Sequence, residues 1–123
     1  MAIIPVMRCS RINASVEFYT TTLDFHLADD DELNDPAFVF LRRAGDLVAL
    51  SSYGSGPIQR SVAVVMIEDV DALFNKFLAR GLKPTKADSP VHQGPTDQSW
   101  GTREFYVDDP DGNTLAFTQS LSS

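Results

Sequence analysis

Apolar and polar residues recur along this chain with two periods, and each period marks a kind of element. Ile12, Val16, Tyr19 and Leu23 are spaced 4, 3 and 4 apart, the stripe of an amphipathic helix, and Asn13 offers an N-cap oxygen. A second stripe, Val70, Leu73, Phe77 and Leu78, follows Asp69 as N-cap and stops at Gly81. Strands are predicted over Ala2–Met7, Phe25–Asp29, Ala37–Leu41, Leu47–Tyr53, Ser61–Ile67 and Leu82–Ala87. Two more, Arg103–Val107 and Thr114–Phe117, flank the turn Asp109-Pro110-Asp111-Gly112-Asn113. Pro5 removes a ladder donor, so the first strand is expected at an edge or with its donor side free. Ser61–Ile67 is β-branched and apolar on both faces, the pattern of a central strand. Asp29–Pro36 (DDDELNDP) and Asp88–Gly101 read as loops, and Gly54-Ser55-Gly56-Pro57 as a linker.

The order strand, helix, strand, hairpin then occurs twice. A shift of 67 places Phe38 on Phe105, Gly45 on Gly112, Val48 on Leu115 and Ala49 on Ala116. The expected fold is therefore α+β, a single domain of two βαβββ modules. Module one covers about residues 1–53, and module two about 58–121, after the linker at 54–57. Pairing Arg43 with Asp46 puts Phe38, Phe40, Leu47, Ala49, Ser51 and Tyr53 on one face of the first hairpin. Val39, Leu41, Val48 and Leu50 face the helices. The same shift gives the second module Phe105, Val107, Thr114, Ala116 and Thr118 on the face away from its helix. A sheet apolar on both faces needs a second cover: a partner chain, a ligand, or both.

Composition narrows the function classes. The chain has 123 residues, enough for one core without staples, and no run approaches a membrane span. The opening MAIIPV lacks the features of a signal peptide. Cys9, the only cysteine, cannot form an internal disulfide and is expected to be a buried, idle thiol, which fits a cytoplasmic setting. A net charge of −7 argues against nucleic-acid phosphates and is compatible with a neutral or cationic small molecule.

Few residues offer chemistry. His26 sits on a peripheral strand and reads as a surface residue; His92 lies in the long loop, either solvated or against a ligand. There is no phosphate cradle, CxxC or nucleophile elbow, which disfavours an enzyme. Trp100, the only tryptophan, either anchors its loop to the core or forms a stacking wall.

The opening PVMRCSRINASVEFYTTTLDF, the central SVAVVMIEDVDALFNKF and the closing QSWGTREFYVDDPDGNTLAF resemble the glyoxalase/bleomycin-resistance/extradiol-dioxygenase superfamily over essentially the whole chain. The DPDGN turn is shared across that superfamily, whereas QSWG followed by REF is similar to its bleomycin-resistance branch. Asp24 departs from the family's usual glycine after the first helix. The resemblance implies small acidic dimers that bind a drug without turnover, often with the first strand exchanged and with clefts that use both chains. It points to Trp100, Phe38, Phe40, Ser51, Tyr53, Phe105 and His92 as ligand contacts. It also gives the acidic run through Glu32 a role in attracting a cationic ligand tail. The metal-ligand positions of the superfamily's enzymes carry over to Ile4, Ala49, Val62 and Ala116, none of which can ligate, so no metal or cofactor is expected. Two other readings remain: an enzyme of the superfamily on an unknown substrate without the usual metal, and a carrier or sensor of another planar hydrophobic metabolite.

Overall fold

The computed structural model describes residues 3–28, 37–54, 56–84 and 86–121. Its elements run β1 (Val6–Arg8), α1 (Ile12–Glu17), β2 (His26–Leu27), β3 (Phe38–Arg43) and β4 (Asp46–Ser51). Then come β5 (Val62–Met66), α2 (Val70–Ala79), β6 (Thr96–Asp97), β7 (Thr102–Asp108) and β8 (Thr114–Ser120). The pattern βαβββ thus appears twice, each time as a four-stranded sheet, ordered β1-β4-β3-β2 and β5-β8-β7-β6. The chain forms two compact units, Met1–Ser61 with Asp109–Asn113, and Val62–Asp108 with Thr114–Ser123.

In the first unit, β1 is an edge strand, one of the two placements compatible with Pro5 just before it. It runs parallel to β4, and the Pro5 carbonyl accepts from the Ala49 N–H at 2.9 Å. Helix α1 begins at Ile12 with Arg11 as N-cap and no side-chain cap, so Asn13 does not fill that role. The helix continues as a π-helical turn, Phe18–Thr22, which sets Tyr19 and Leu23 fully into the core. Asp24 follows at φ 62, the left-handed value for which glycine is the easier residue. Met7, Leu41, Val48 and Leu50 fill the helix side of the sheet. The hairpin register is the expected one, with Phe38 opposite Ser51, Phe40 opposite Ala49 and Arg43 opposite Asp46. Cys9 is buried at 2% exposure, and burial raises the pKa of its thiol.

The turn 109–113 is tied into this unit by hydrogen bonds. The Asp109 carboxylate accepts from the Tyr19 hydroxyl (2.9 Å), the Asn113 amide side chain (2.9 Å), and the backbone N–H groups of Asp111 and Asn113 (2.9 Å each). Asn113, fully buried, also donates to the Arg8 carbonyl at 2.8 Å and accepts from the Ser61 N–H at 2.9 Å. Asp111 accepts from the Ser10 hydroxyl at 2.8 Å. Asp, Gly and Asn are thus fixed by bonds as well as by turn conformation, with Gly112 at φ 85.

In the second unit, Asp69 caps α2 by accepting from the Ala72 N–H at 3.0 Å. The helix closes in a Schellman arrangement, Leu82 N–H to Phe77 carbonyl and Gly81 N–H to Leu78 carbonyl, with Gly81 at φ 102. Val70, Leu73 and Phe77 are buried, whereas Leu78 lies 39% exposed, beyond the apolar stripe.

Three sequence expectations need correction here. No strand forms among the described residues of 82–87. Pro84 lacks a donor there, and the pairing role passes to Thr96–Asp97, inside the expected loop, which meets Arg103 and Glu104 of β7. β5 is the outer strand of its sheet rather than a central one; Val62, Val64 and Met66 are 71, 63 and 60% exposed. Phe105 and Val107 turn to the helix. Phe105 stacks on Phe117 at 5.0 Å and meets the rings of Phe74 and Phe77, so it leaves the set of ligand contacts. The cause is the turn. Carried over by 67, the Arg43–Asp46 pair would set Pro110 opposite Asn113. The structure instead pairs Asp108 with Thr114, and this one-residue change of register exchanges the faces of β7.

Candidate ligand site

With β7 turned over, the face of the second sheet away from α2 carries Glu104, Tyr106, Thr114, Ala116 and Thr118. They pair in rows, Glu104 with Thr118, Tyr106 with Ala116, and Asp108 with Thr114. β5 extends the rows with Met66 beside Thr118, Val64 beside Ala116 and Val62 beside Thr114. A cavity of about 410 Å³ lies against this face, and Trp100 and His92 complete its lining. That volume is in the range of small-molecule pockets, and small Ala116 at the centre leaves room for a ring.

Trp100 is held by one edge. Gly101, at φ 90, closes a turn by donating its N–H to the Gln98 carbonyl at 3.1 Å, which swings Trp100 out of the chain path. The indole N–H donates to Glu104 Oε2 at 3.0 Å while 65% of the residue stays exposed. Anchor and wall are therefore the same residue: the nitrogen edge fixes the ring, and the ring lines the cavity.

Glu104 is the hub of this arrangement, although it is only 6% exposed. It accepts from Trp100, from the Thr102 hydroxyl at 2.6 Å and from the Tyr106 hydroxyl at 2.9 Å. Burial opposes its charge, but hydrogen bonds from Thr102, Trp100 and Tyr106 outweigh this and hold the carboxyl below its ordinary pKa. For Tyr106, burial and the adjacent carboxylate act together and raise its pKa.

His92 is not a solvated loop residue. Its side chain is 9% exposed and sits edge-on to Tyr106, with ring centroids 5.8 Å apart. A 3₁₀ turn, Pro90–His92, places Nδ1 2.7 Å from the Ser89 hydroxyl and Nε2 3.2 Å from Asp108. Asp108 also meets Lys86 Nζ at 2.9 Å and accepts from the Thr114 hydroxyl at 2.7 Å. Burial resists its charge as well, but Lys86, Thr114 and His92 lower its pKa overall.

The other expected contacts lie in the first unit. Phe38 and Phe40 are half-buried and meet edge to face at 5.2 Å. Ser51 is buried, its hydroxyl accepting from the Tyr53 N–H at 3.2 Å, while Tyr53 itself is 57% exposed. Glu32 and its acidic run fall outside the described residues. His26 is a surface residue, its side chain 76% exposed and 3.7 Å from Asp24. The register change is what brings Glu104 and Tyr106 to this face, against the expected alternation. The odd difference in length between Asp109–Asn113 and Ala44-Gly45 was the signal that could have revealed them.

The sequence profile of the glyoxalase/bleomycin resistance protein/dioxygenase superfamily matches residues 4–117. The chain belongs to this superfamily. A bleomycin resistance determinant encoded on the transposon Tn5 superposes with a TM-score of 0.80 at 18% identity, over 99% of each chain. The bleomycin-binding protein of bleomycin-producing Streptomyces verticillus, solved with copper(II)-bleomycin, gives 0.74 at 28% identity, over 98% of this chain and 96% of that one. A superfamily protein from Nocardioides gives 0.71 at 24% identity, over 100% and 86%. No curated protein sequence is significantly similar to the chain.

Superfamily enzymes use a metal held on the inner sheet faces, and the residues here do not fit one. Ala49 lies beside Val6 on β1 and Ala116 beside Val64 on β5, while Ile4 and Val62 of the carried-over set are equally without donor atoms. No group of three or more His, Cys, Asp or Glu among the described residues could hold an ion. No helix among them is long and apolar enough to cross a membrane.

Proposed function

We propose that this protein binds a bleomycin-like glycopeptide, or another planar ligand, and sequesters it without metal and without turnover. The observation that carries the reading is Trp100, held by its N–H to Glu104 at the edge of a 410 Å³ cavity with 65% of the residue exposed. An exposed indole is unfavourable in water and well suited to stacking on a flat ring system. Support comes from the 28% identical protein of S. verticillus, whose structure contains copper(II)-bleomycin. We assign Phe38, Phe40, Ser51 and Tyr53 as further contacts. We also infer a homodimer in the cytoplasm, with the exposed β5 face and the Pro5 strand as the surfaces for association.

Titration of Trp100 fluorescence with metal-free and copper-loaded bleomycin tests the reading. Saturable quenching near one ligand per chain is the expected result, with the affinity measured by isothermal titration calorimetry falling in Trp100→Phe. An unchanged signal up to roughly millimolar drug, where binding is worth only about 4 kcal/mol, removes bleomycin as the ligand. A chemically altered drug after incubation would show an enzyme instead. Sedimentation as a monomer at micromolar concentration would refute the dimer.

A further inference from the structure

Every side-chain donor that lines the cavity is already committed to a partner within the protein. Trp100 N–H and Tyr106 O–H go to Glu104, and Thr114 O–H goes to Asp108. Thr118 O–H goes to the Ala116 carbonyl at 3.1 Å, and both His92 nitrogens are engaged, by Ser89 and Asp108. The remaining lining residues, Val62, Val64 and Ala116, have no polar side-chain atoms. What the cavity offers a guest is therefore aromatic rings, methyl groups and the charge of the Glu104 carboxylate, whose oxygens already accept from Trp100, Thr102 and Tyr106.

From this accounting we infer that the cavity selects planar cations and rejects anionic planar molecules. A carboxylate or sulfonate entering here would be stripped of water with no side-chain donor to replace it, in the field of Glu104, which no cation pairs among the contacts above, whereas Asp108 is balanced by Lys86 at 2.9 Å. A flat cation loses less. The rings of Trp100 and Tyr106 attract it through their quadrupoles, and carboxylate charge stabilises it at close range. Glu104 contributes twice, as the counter-charge and as the positioning residue that turns the Trp100 nitrogen inward and leaves its face to the guest. The inference rests on the ligand reading above but does not require that the ligand be bleomycin.

Three probes of one shape test it by isothermal titration calorimetry at pH 8 with the whole chain: 9-aminoacridine as cation, acridine as neutral molecule and anthracene-9-carboxylate as anion. The cation is expected to bind roughly tenfold more tightly than the neutral probe, with the anion undetected. Glu104→Gln should bring the cation and neutral probe to within about twofold of each other. The inference is overturned if the anion binds as well as the cation, if none of the three binds, or if Glu104→Gln keeps the full preference. Should that variant not fold, the wild-type ranking decides alone. A ranked series without bleomycin quenching sinks the drug and leaves this inference standing; quenching by bleomycin with an unranked series does the reverse.

Discussion

Removing one oxygen from Tyr19 tests the account of the turn 109–113. Tyr19 is fully buried in the first unit, and its hydroxyl donates to Asp109 Oδ2 at 2.9 Å, also within the core. Tyr19→Phe preserves the ring and its edge-to-face contact with Phe25 at 5.6 Å, so packing changes little. What is lost is a hydrogen bond to a charged acceptor, worth about 1.5–3 kcal/mol. The Asp109 carboxylate keeps three donors, which places the expected cost toward the lower end, about 1.5–2 kcal/mol. For a domain of this size that is a fall in Tm of roughly 5–10 °C. Urea unfolding at pH 7, followed by circular dichroism, measures it. In a double-mutant cycle, Asp109→Asn should cost less in the Tyr19→Phe background than in wild type, by no more than about the energy of the one bond the two groups share. A loss below about 0.5 kcal/mol, or strict additivity in the cycle, would refute the claim that this bond holds the turn.

Other consequences can be checked in the same way. Gly112→Ala should destabilise by about 1–2 kcal/mol in urea, since φ is 85 and a Cβ would stand 2.7 Å from Arg60 Nε. Asp24→Gly at φ 62 should be neutral or raise the urea midpoint, because relief of the left-handed strain, about 1 kcal/mol, offsets the greater chain entropy of glycine. The folded-state pKa of Glu104 lies below its ordinary 4.5, so its stabilising contribution is complete above that value and lost as pH falls through the folded pKa. A shift in Trp100 emission should accompany that loss below about pH 4.5, and Glu104→Gln should abolish the acid transition. A Trp100 signal that ignores Glu104 would disprove the anchor.

Most of the fold was legible because it rests on local signals. The stripe Val70, Leu73, Phe77 and the cap at Asp69 describe α2 before any coordinate does, and the first hairpin's register follows from its two-residue turn. What failed was long-range or cumulative. Nothing local says that β5 lies outermost, since its β-branched run looks the same whether water or protein covers it. The Thr96–Asp97 strand is two residues long and takes its identity from its partner β7. The candidate site was half legible. Trp100 stands out as the only tryptophan, but the repeat alone puts Glu104 and Tyr106 on the wrong face, because alternation propagates one register error to every residue of a strand. His92 showed the opposite limit: a loop position suggested water, yet Ser89, Asp108 and Tyr106 enclose it.

The buried Cys9 gives the molecule a built-in stopwatch. With its thiol sealed from solvent and its pKa raised, a thiol-specific reagent cannot modify it until the surrounding structure opens. No second cysteine competes for the label. At high reagent concentration the labelling rate becomes the opening rate itself, and at low concentration it reports the equilibrium between closed and open forms. A ligand that binds only the closed form should slow the low-concentration labelling in proportion to its occupancy, whether or not it touches a chromophore. The native chain thus carries its own assay for guests that Trp100 fails to report.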